Sequence, residues 1–348
     1  TDGQVLTSTG AGSPPAFEDV PASGRAHNLI INGAAQINQR GSQTGKTSST
    51  YFLDRFRVAM GNAGTWNLTR SSESPNGFAR SMKLDCTTAK SSLDADSYML
   101  FQQKIEGHNV QAFAKGTSSA KQFAVSFYMK SNVSGTYTAE VQDNDNNRIA
   151  SKTFTVSDGN WNRYSLIFPA DTTGAFDDDN DQSMDIKIWL VGGSNYTSGT
   201  LNTSSWASKV NANRVSSSNV NVASSTSNEL YFTGVQLEVG GVVRDFEHRS
   251  YGQELALCQR YYEIGVHGNY GHVAGGGTHK FYSQFKTQKR AAPTLAIVSS
   301  QENYVSSVSV TADPLDATLG CRIQGAVVGS ATGDNKYIDA KYSADAEL

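Results

Sequence analysis

Residues 122–130 read QFAVSFYMK, and the alternation within them decides the fold. Phe123, Val125, Phe127 and Met129 fall two residues apart, so they share one face of an extended chain. The same period recurs in 184–191 (MDIKIWLV), where Ile186, Ile188 and Leu190 align, and in 229–237 (ELYFTGVQL). In the last stretch Leu230 and Phe232 align with Val235 only if one extra residue is inserted near Gly234, which predicts a β-bulge there. Working outward, short runs of β-branched and aromatic residues also occupy 28–32, 52–59, 64–70, 135–142, 152–157 and 161–168, separated by Asn, Asp, Gly and Ser clusters. About eight to ten short strands over 28–250, with almost no helix, predict a jelly-roll β-sandwich.

The flanking regions differ in texture. Residues 1–27 are rich in Gly, Ser, Thr and Pro and have too few apolar anchors for a core, so they read as a connector arm. Residues 170–182 and 198–228 are long polar insertions of the kind that carry function or pack on a neighbour. Ser250 and Gln253 have capping-box spacing, and Leu255, Cys258 and Tyr262 share a helical face, which predicts a short linking helix over 251–262. Residues 263–277 read as loop or hairpin. Strands are expected again at 279–287, 294–299, 303–312, 320–328 and 335–343, so 263–348 forms a smaller C-terminal β domain. The chain as a whole is all-β.

Composition removes several function classes. Of 348 residues, 18% are charged and the net charge is −3, so no concentrated basic face exists to hold nucleic acid. No apolar run approaches the ~18 residues of a membrane-inserted helix. Cys86, Cys258 and Cys321 are far apart and odd in number, so they supply neither a disulfide framework nor a metal knuckle and read as small buried hydrophobes.

Saccharide recognition uses aromatic faces for apolar contact and nearby amides or charges for hydroxyls. The glycan-binding candidates are Tyr196 and Trp206 in the polar insertions, for which packing under the loop or against a neighbour is the alternative reading, and Tyr270, Tyr282 and Tyr304 in the C-terminal domain. Trp161 and Trp189 lie in core-like strands. Asp143, Asp145 and Asn147 alternate as calcium-loop ligands do, although a solvated hairpin turn explains the same residues. A structural calcium is the one cofactor this pattern raises. His267 and His272 could meet their symmetry mates on a threefold axis and hold a metal. No nucleophile elbow, zinc-protease helix or phosphate loop occurs. The carboxylates that a glycosidase would need, such as Asp54, Glu106 and Glu238, read as structural ion-pair partners instead, Asp54 with Arg55 and Arg57 and Glu238 with Arg244.

Four segments resemble modules found in the tail fibres of bacterial viruses, marine and cyanobacterial ones included. They are NLIINGAAQINQR at 28–40 with YFLDRFR at 51–57, FQQKIE at 101–106, VSDGNWNRYSLIF at 156–168, and NELYFTGVQLEVGGVVRDFEHRSYGQELALCQRYY at 228–262. The N-terminal GQVLTSTGAGSPPAFED resembles the connector that precedes such modules. The resemblance implies a jelly roll similar to carbohydrate-binding modules, a homotrimer, and a distal tip domain that meets the host. The implied partners are a host cell-surface polysaccharide or outer-membrane receptor, and other tail proteins through the N-terminal region. The implied location is the virion tail fibre, after assembly in the host cytoplasm. The implied role is adhesion without catalysis; a purely structural fibre or adaptor and a polysaccharide depolymerase are the alternatives.

Overall fold

The computed structural model describes residues 28–271, 276–328 and 336–348, with Pro14 and the backbones of 4–7 and 16–19. Strands are numbered in chain order. Within the arm, β1 (Gln4–Thr7) and β2 (Ala16–Asp19) pair antiparallel.

Two antiparallel sheets make the sandwich. One runs in the order β12 (Asn162–Phe168), β9 (Phe123–Ser131), β15 (Glu229–Val239), β7 (Ser81–Thr88), β6 (Thr65–Ser71) and β3 (Gln43–Lys46). The other runs β14 (Ala207–Ser208), β11 (Arg148–Val156), β10 (Gly135–Asp143), β13 (Gln182–Gly192), β8 (Tyr98–Glu106), β5 (Arg57–Gly61) and β4 (Thr50–Tyr51). The alternating residues of β9, β13 and β15 face one another as the period required, and Phe101 stacks on Phe232 with ring centroids 4.2 Å apart. The bulge in β15 lies between Thr233 and Gln236, where Gly234 takes φ +61°. The architecture is an all-β jelly-roll sandwich.

Two expected strands are not strands. Residues 28–32 are irregular because side chains take their backbone hydrogen bonds: Gln103 bonds both N and O of Ile31 at 2.8 Å, and Glu254 accepts from Asn32 N. The 52–59 run is broken at Leu53 and Arg55, which both take positive φ, so extended structure resumes only at Arg57.

The capping box at Ser250 and Gln253 opens helix α2 (Tyr251–Gln259), preceded in the chain by the single-turn α1 (Ser194–Thr197). Helix α2 is shorter than its apolar pattern predicted. Tyr262 does not extend its buried face; it starts β16 (Tyr262–Gly271), opposite Asp345. Tyr261 is the ring that packs with Cys258, Ile31 and Ile37.

The expected loop at 263–277 is therefore mostly a ten-residue strand. Its glycines concealed it, and they make room for large partners on β21 (Lys336–Asp345). A Cβ at Gly265 would run into the Tyr342 ring, and one at Gly268 into the Asp339 carboxylate. The C-terminal domain pairs β16, β21 and β18 (Thr294–Asn303) in one sheet. Its second sheet holds β17 (Thr278–Gln284), β20 (Gly320–Val327) and β19 (Val305–Ala312). Phe281, Phe285, Ile323, Ile338 and Tyr342 fill the core between them.

The two domains are joined by a buried polar seam. Arg55 lies over the Tyr261 ring at 3.4 Å and pairs with Glu347. Arg40 lies over Tyr262 at 3.7 Å and bonds Asp345 at 2.8 Å. Arg260 grips Glu106 through two bonds of 3.0 and 2.7 Å, the bidentate geometry that makes such pairs strong. Asp54 is not paired with Arg55 or Arg57 as expected; it accepts from Gln39 N and Nε2, both at 2.7 Å. Burial pushes its carboxyl up to about 6 against those donors. Glu238 does pair with Arg244, at 3.4 Å. All three cysteines are buried and free, and burial raises the Cys258 thiol well above its ordinary range.

Candidate functional site

The polar insertion is less open than its composition implied. The outer face of the seven-stranded sheet carries a row set by register: Ser151, Glu140, Lys187, Gln102 and Arg57. The 193–228 segment folds across part of this face. Arg214 reaches in to clamp Glu140 with bonds of 2.8 and 2.7 Å and lies 4.8 Å over Trp189. Tyr196 packs against Trp189 and Tyr98, with centroids 5.2 and 6.1 Å away. Trp206 is only 8% exposed, donates Nε1–H to Pro169 O at 2.8 Å and packs on Phe123. Neither ring offers the open stacking face of a glycan site; each packs under the insertion, the alternative reading, and closes it onto the sandwich.

The calcium reading of 143–147 is corrected by a lysine. Lys115 Nζ sits 2.5 Å from Asp143 and 3.2 Å from Asp171, and donates to the carbonyls of Thr173 (2.8 Å) and Gly174 (2.7 Å). The oxygens converge as on a cation, and the cation is the protein's own ammonium. Asn146 N completes the turn on Asp143 Oδ1, Asp145 Oδ2 accepts from Asp177 N, and Asn147 takes φ +53° as a hairpin-turn residue. Among the described residues no cluster of three or more His, Cys, Asp or Glu is arranged for a metal. His267 is half-buried beside Phe281, ring centroids 5.0 Å apart, rather than on an open loop. His272 lies outside the described residues.

A groove of about 1060 Å³ follows residues 244–260 and Thr287. Its charges are already engaged: Arg249 with Glu254 and the carbonyls of Asn28 and Ile30, Arg260 with Glu106, Arg244 with Glu238. It therefore offers a ligand few free groups.

The exposed aromatics lie elsewhere. Among the described residues the large exposed rings are Tyr251, Tyr270, Tyr282 and Tyr304, and the last three belong to the C-terminal domain. Tyr270 is 69% exposed on the outer face of β16, directly opposite Tyr337 of β21, with ring centroids 5.1 Å apart. Tyr337 in turn faces Asn303 of β18, and Tyr304 follows at the turn into β19 with φ +54°. The next row of the same face places Asp339 between the side-chain-free Gly268 and Gln301. Two rings with an adjoining carboxylate and amides form a shallow platform suited to apolar sugar faces and hydroxyls. Tyr282 belongs to the other sheet's outer face. Tyr337 and Asp339 were not singled out from sequence. Only the pairing of β16 with β21 makes them neighbours of Tyr270.

No protein-family model and no curated protein sequence matches the chain. Solved structures do resemble it. One is the enzymatically active domain of tailspike protein 4 of bacteriophage CBA120, with 16% identity over 61% of this chain and a TM-score of 0.31. The match spans 21% of that tailspike chain. Another is the family 11 carbohydrate-binding module from Clostridium thermocellum, in complex with a β-1,3-1,4-mixed-linked tetrasaccharide: 12% identity, 60% of this chain, 98% of that one, TM-score 0.29. A third is the CBM22-1 xylan-binding domain from Paenibacillus barcinonensis: 8% identity, 63% of this chain, 97% of that one, TM-score 0.31.

Proposed function

We propose that this chain is a receptor-binding component of a virion tail fibre that takes a cell-surface glycan on the outer surface of its C-terminal domain and performs no chemistry. The observation that carries the reading is the placement of the exposed rings: Tyr270, Tyr282 and Tyr304 stand on the C-terminal domain, while Trp189 and Trp206 of the sandwich are buried. The carboxylates suited to glycoside hydrolysis support the non-catalytic part. Glu106 is held by Arg260, Glu238 by Arg244 and Asp54 by Gln39, so none stands free opposite another. In this reading the 1–27 arm joins other tail proteins, and three copies present the tip together. Weak single-site binding to a repetitive polysaccharide then gains avidity through effective concentration.

The test is adsorption. Purified protein should coat host cells and block infection. The Tyr270→Ala/Tyr337→Ala variant should lose at least tenfold in binding, because stacked aromatic anchors dominate such contacts. Unchanged binding by that variant rejects the platform. Release of new reducing ends from host polysaccharide rejects the non-catalytic reading. Native mass measurement of a monomer rejects the trimer.

A further inference from the structure

The second sheet of the C-terminal domain carries a face that the tyrosine platform does not account for. Strand pairing sets six side chains in a grid on the outer side of β17, β20 and β19. One row is Lys280, Gln324, Ser309, and the next is Tyr282, Arg322, Thr311. Three strands about 4.8 Å apart and one step of two residues give a footprint of roughly 10 by 7 Å. That is the scale of a short oligosaccharide.

Two features of this grid bear on ligand binding. Nearly every buried or half-buried arginine of the sandwich and seam has a carboxylate: Arg40, Arg55, Arg148, Arg214 and Arg260 all do. The half-buried Arg322 has none among the described residues, and neither its side chain nor that of the exposed Lys280 makes a hydrogen bond there. The second feature is unmet hydrogen bonding. Arg322 Nε and Thr311 Oγ1, register neighbours, are both shielded from solvent without a partner; Arg40 Nε and Arg55 Nε are too, but those guanidiniums are paired with carboxylates through their other nitrogens and Arg322 is not. Shielded polar atoms without partners cost free energy, so native structures keep them where something else completes them. Beside them Tyr282 is half-exposed and presents a ring.

We infer that this face binds an anionic group on a saccharide, a uronate carboxylate or a sulfate ester, with Arg322 and Lys280 as the charge contacts and Tyr282 stacking on the sugar ring. The guanidinium fork suits a planar carboxylate or a sulfate through paired N–H donors. Thr311 Oγ1 can then donate to the same anion or to a neighbouring hydroxyl. A nucleic acid is disfavoured, since two cations on a chain of net charge −3 cannot neutralise a run of phosphates. The inference rests on the proposed glycan-binding role and narrows it to acidic polysaccharides.

The experiment is binding of the full chain to a printed array of neutral, uronate-bearing and sulfated oligosaccharides, repeated with Lys280→Gln and Arg322→Gln. Retention of the wild-type thermal midpoint establishes that the variants fold. The expected result is acidic ligands bound at least tenfold above neutral ones, weakening with added salt, and about a tenfold loss for each variant. Uronate against sulfate spots identify the anion. Neutral glycans bound as well as acidic ones, with both variants unaffected, overturn the inference and leave the glycan-binding role standing. No binding to any oligosaccharide or to host cells overturns that role and the inference with it.

Discussion

Replacing Lys115 by Met puts the cation-cage reading at risk most directly. The ammonium and the two carboxylates it touches are nearly sealed, with side chains 3%, 0% and 5% exposed for Lys115, Asp143 and Asp171. Asp171 keeps Arg148, at 2.8 and 3.1 Å, so it stays paired in the variant. Asp143 keeps only the amide donors of Asn146, at 3.0 Å and beyond. The variant thus leaves one buried carboxylate without a counter-charge, which costs about 3–5 kcal/mol. For a domain of this size that is a fall of about 6–20 °C in the thermal midpoint. Urea unfolding followed by tryptophan fluorescence reads the loss, and Trp206 reports locally because Lys115 lies 5.4 Å from its ring. Adding Asp143→Asn removes the orphaned charge and should recover at least half of the loss, since deleting both members of a buried pair costs less than deleting one. Calcium should raise the midpoint of the single variant, whose emptied cage keeps two carboxylates and two carbonyls of the kind calcium prefers. A single-variant loss below about 1 kcal/mol, or a double variant no better than the single, would refute the reasoning.

Three further outcomes follow from the seam and the C-terminal sheet. Arg55→Met leaves the buried Glu347 with only Arg40, at 3.3 Å, and removes the contact over Tyr261, so the C-terminal domain should loosen from the sandwich and calorimetry should resolve two transitions for the variant against one expected for the wild type. Gly265→Ala forces a methyl into the Tyr342 ring and should destabilise by about 1–3 kcal/mol, with Tyr342→Leu restoring part of it; a neutral Gly265→Ala contradicts the β16–β21 register. Asp54 gives a pH signature. Its folded carboxyl sits at about 6 because of burial, above the ordinary 3.8, so the folded state binds more protons between those values. Stability from this group is full below the lower value and declines as pH rises through about 6, by about 3 kcal/mol in all. Asp54→Asn should flatten that limb in urea midpoints taken from pH 4 to 7, and an unchanged slope excludes Asp54 as its source.

What could be read from the chain and what could not divide along a physical line. The faces of β9, β13 and β15 were legible because a period of two is a local property. Register is not local. Residues 263–277 looked like loop because Gly265, Gly268 and Gly271 signal turns, yet Gly265 and Gly268 admit Tyr342 and Asp339 from a strand far along the chain. Asp143, Asp145 and Asn147 looked like a metal loop because the oxygens are sequential, whereas the cation that satisfies Asp143 comes from Lys115, well upstream. Trp206 looked exposed because its neighbours are Ser and Asn, and nothing local shows that Pro169 O will take its indole hydrogen. Tyr270, Tyr282 and Tyr304 were visible as rings in a β domain. Tyr337, Lys280 and Arg322 join them only once pairing is known.

Three of the four segments that carry the resemblance to fibre modules converge on the seam, while the fourth, 156–168, lies mainly in β12 at the edge of the sandwich. NLIINGAAQINQR contributes Ile31, Asn32, Gln39 and Arg40 to the seam; YFLDRFR contributes Asp54 and Arg55; FQQKIE contributes Gln103 and Glu106. The 228–262 segment adds Arg249, Glu254, Cys258, Arg260 and Tyr261. Together these side chains hold the sandwich, the linking helix and the C-terminal domain against one another. A buried seam of bidentate and stacked arginines tolerates few substitutions, because each leaves a charge or a donor unmatched. An outer sheet face such as that of β17, β20 and β19 faces solvent and is free to change with the ligand. The recognisable residues therefore hold the C-terminal domain against the sandwich, and under the proposed function the ligand is met by Tyr270, Tyr337, Tyr282, Lys280 and Arg322, where the resemblance is weakest. If that division is right, exchanging those surface residues should change which glycan is bound and leave stability within about 0.5 kcal/mol, whereas exchange of seam residues should do the reverse.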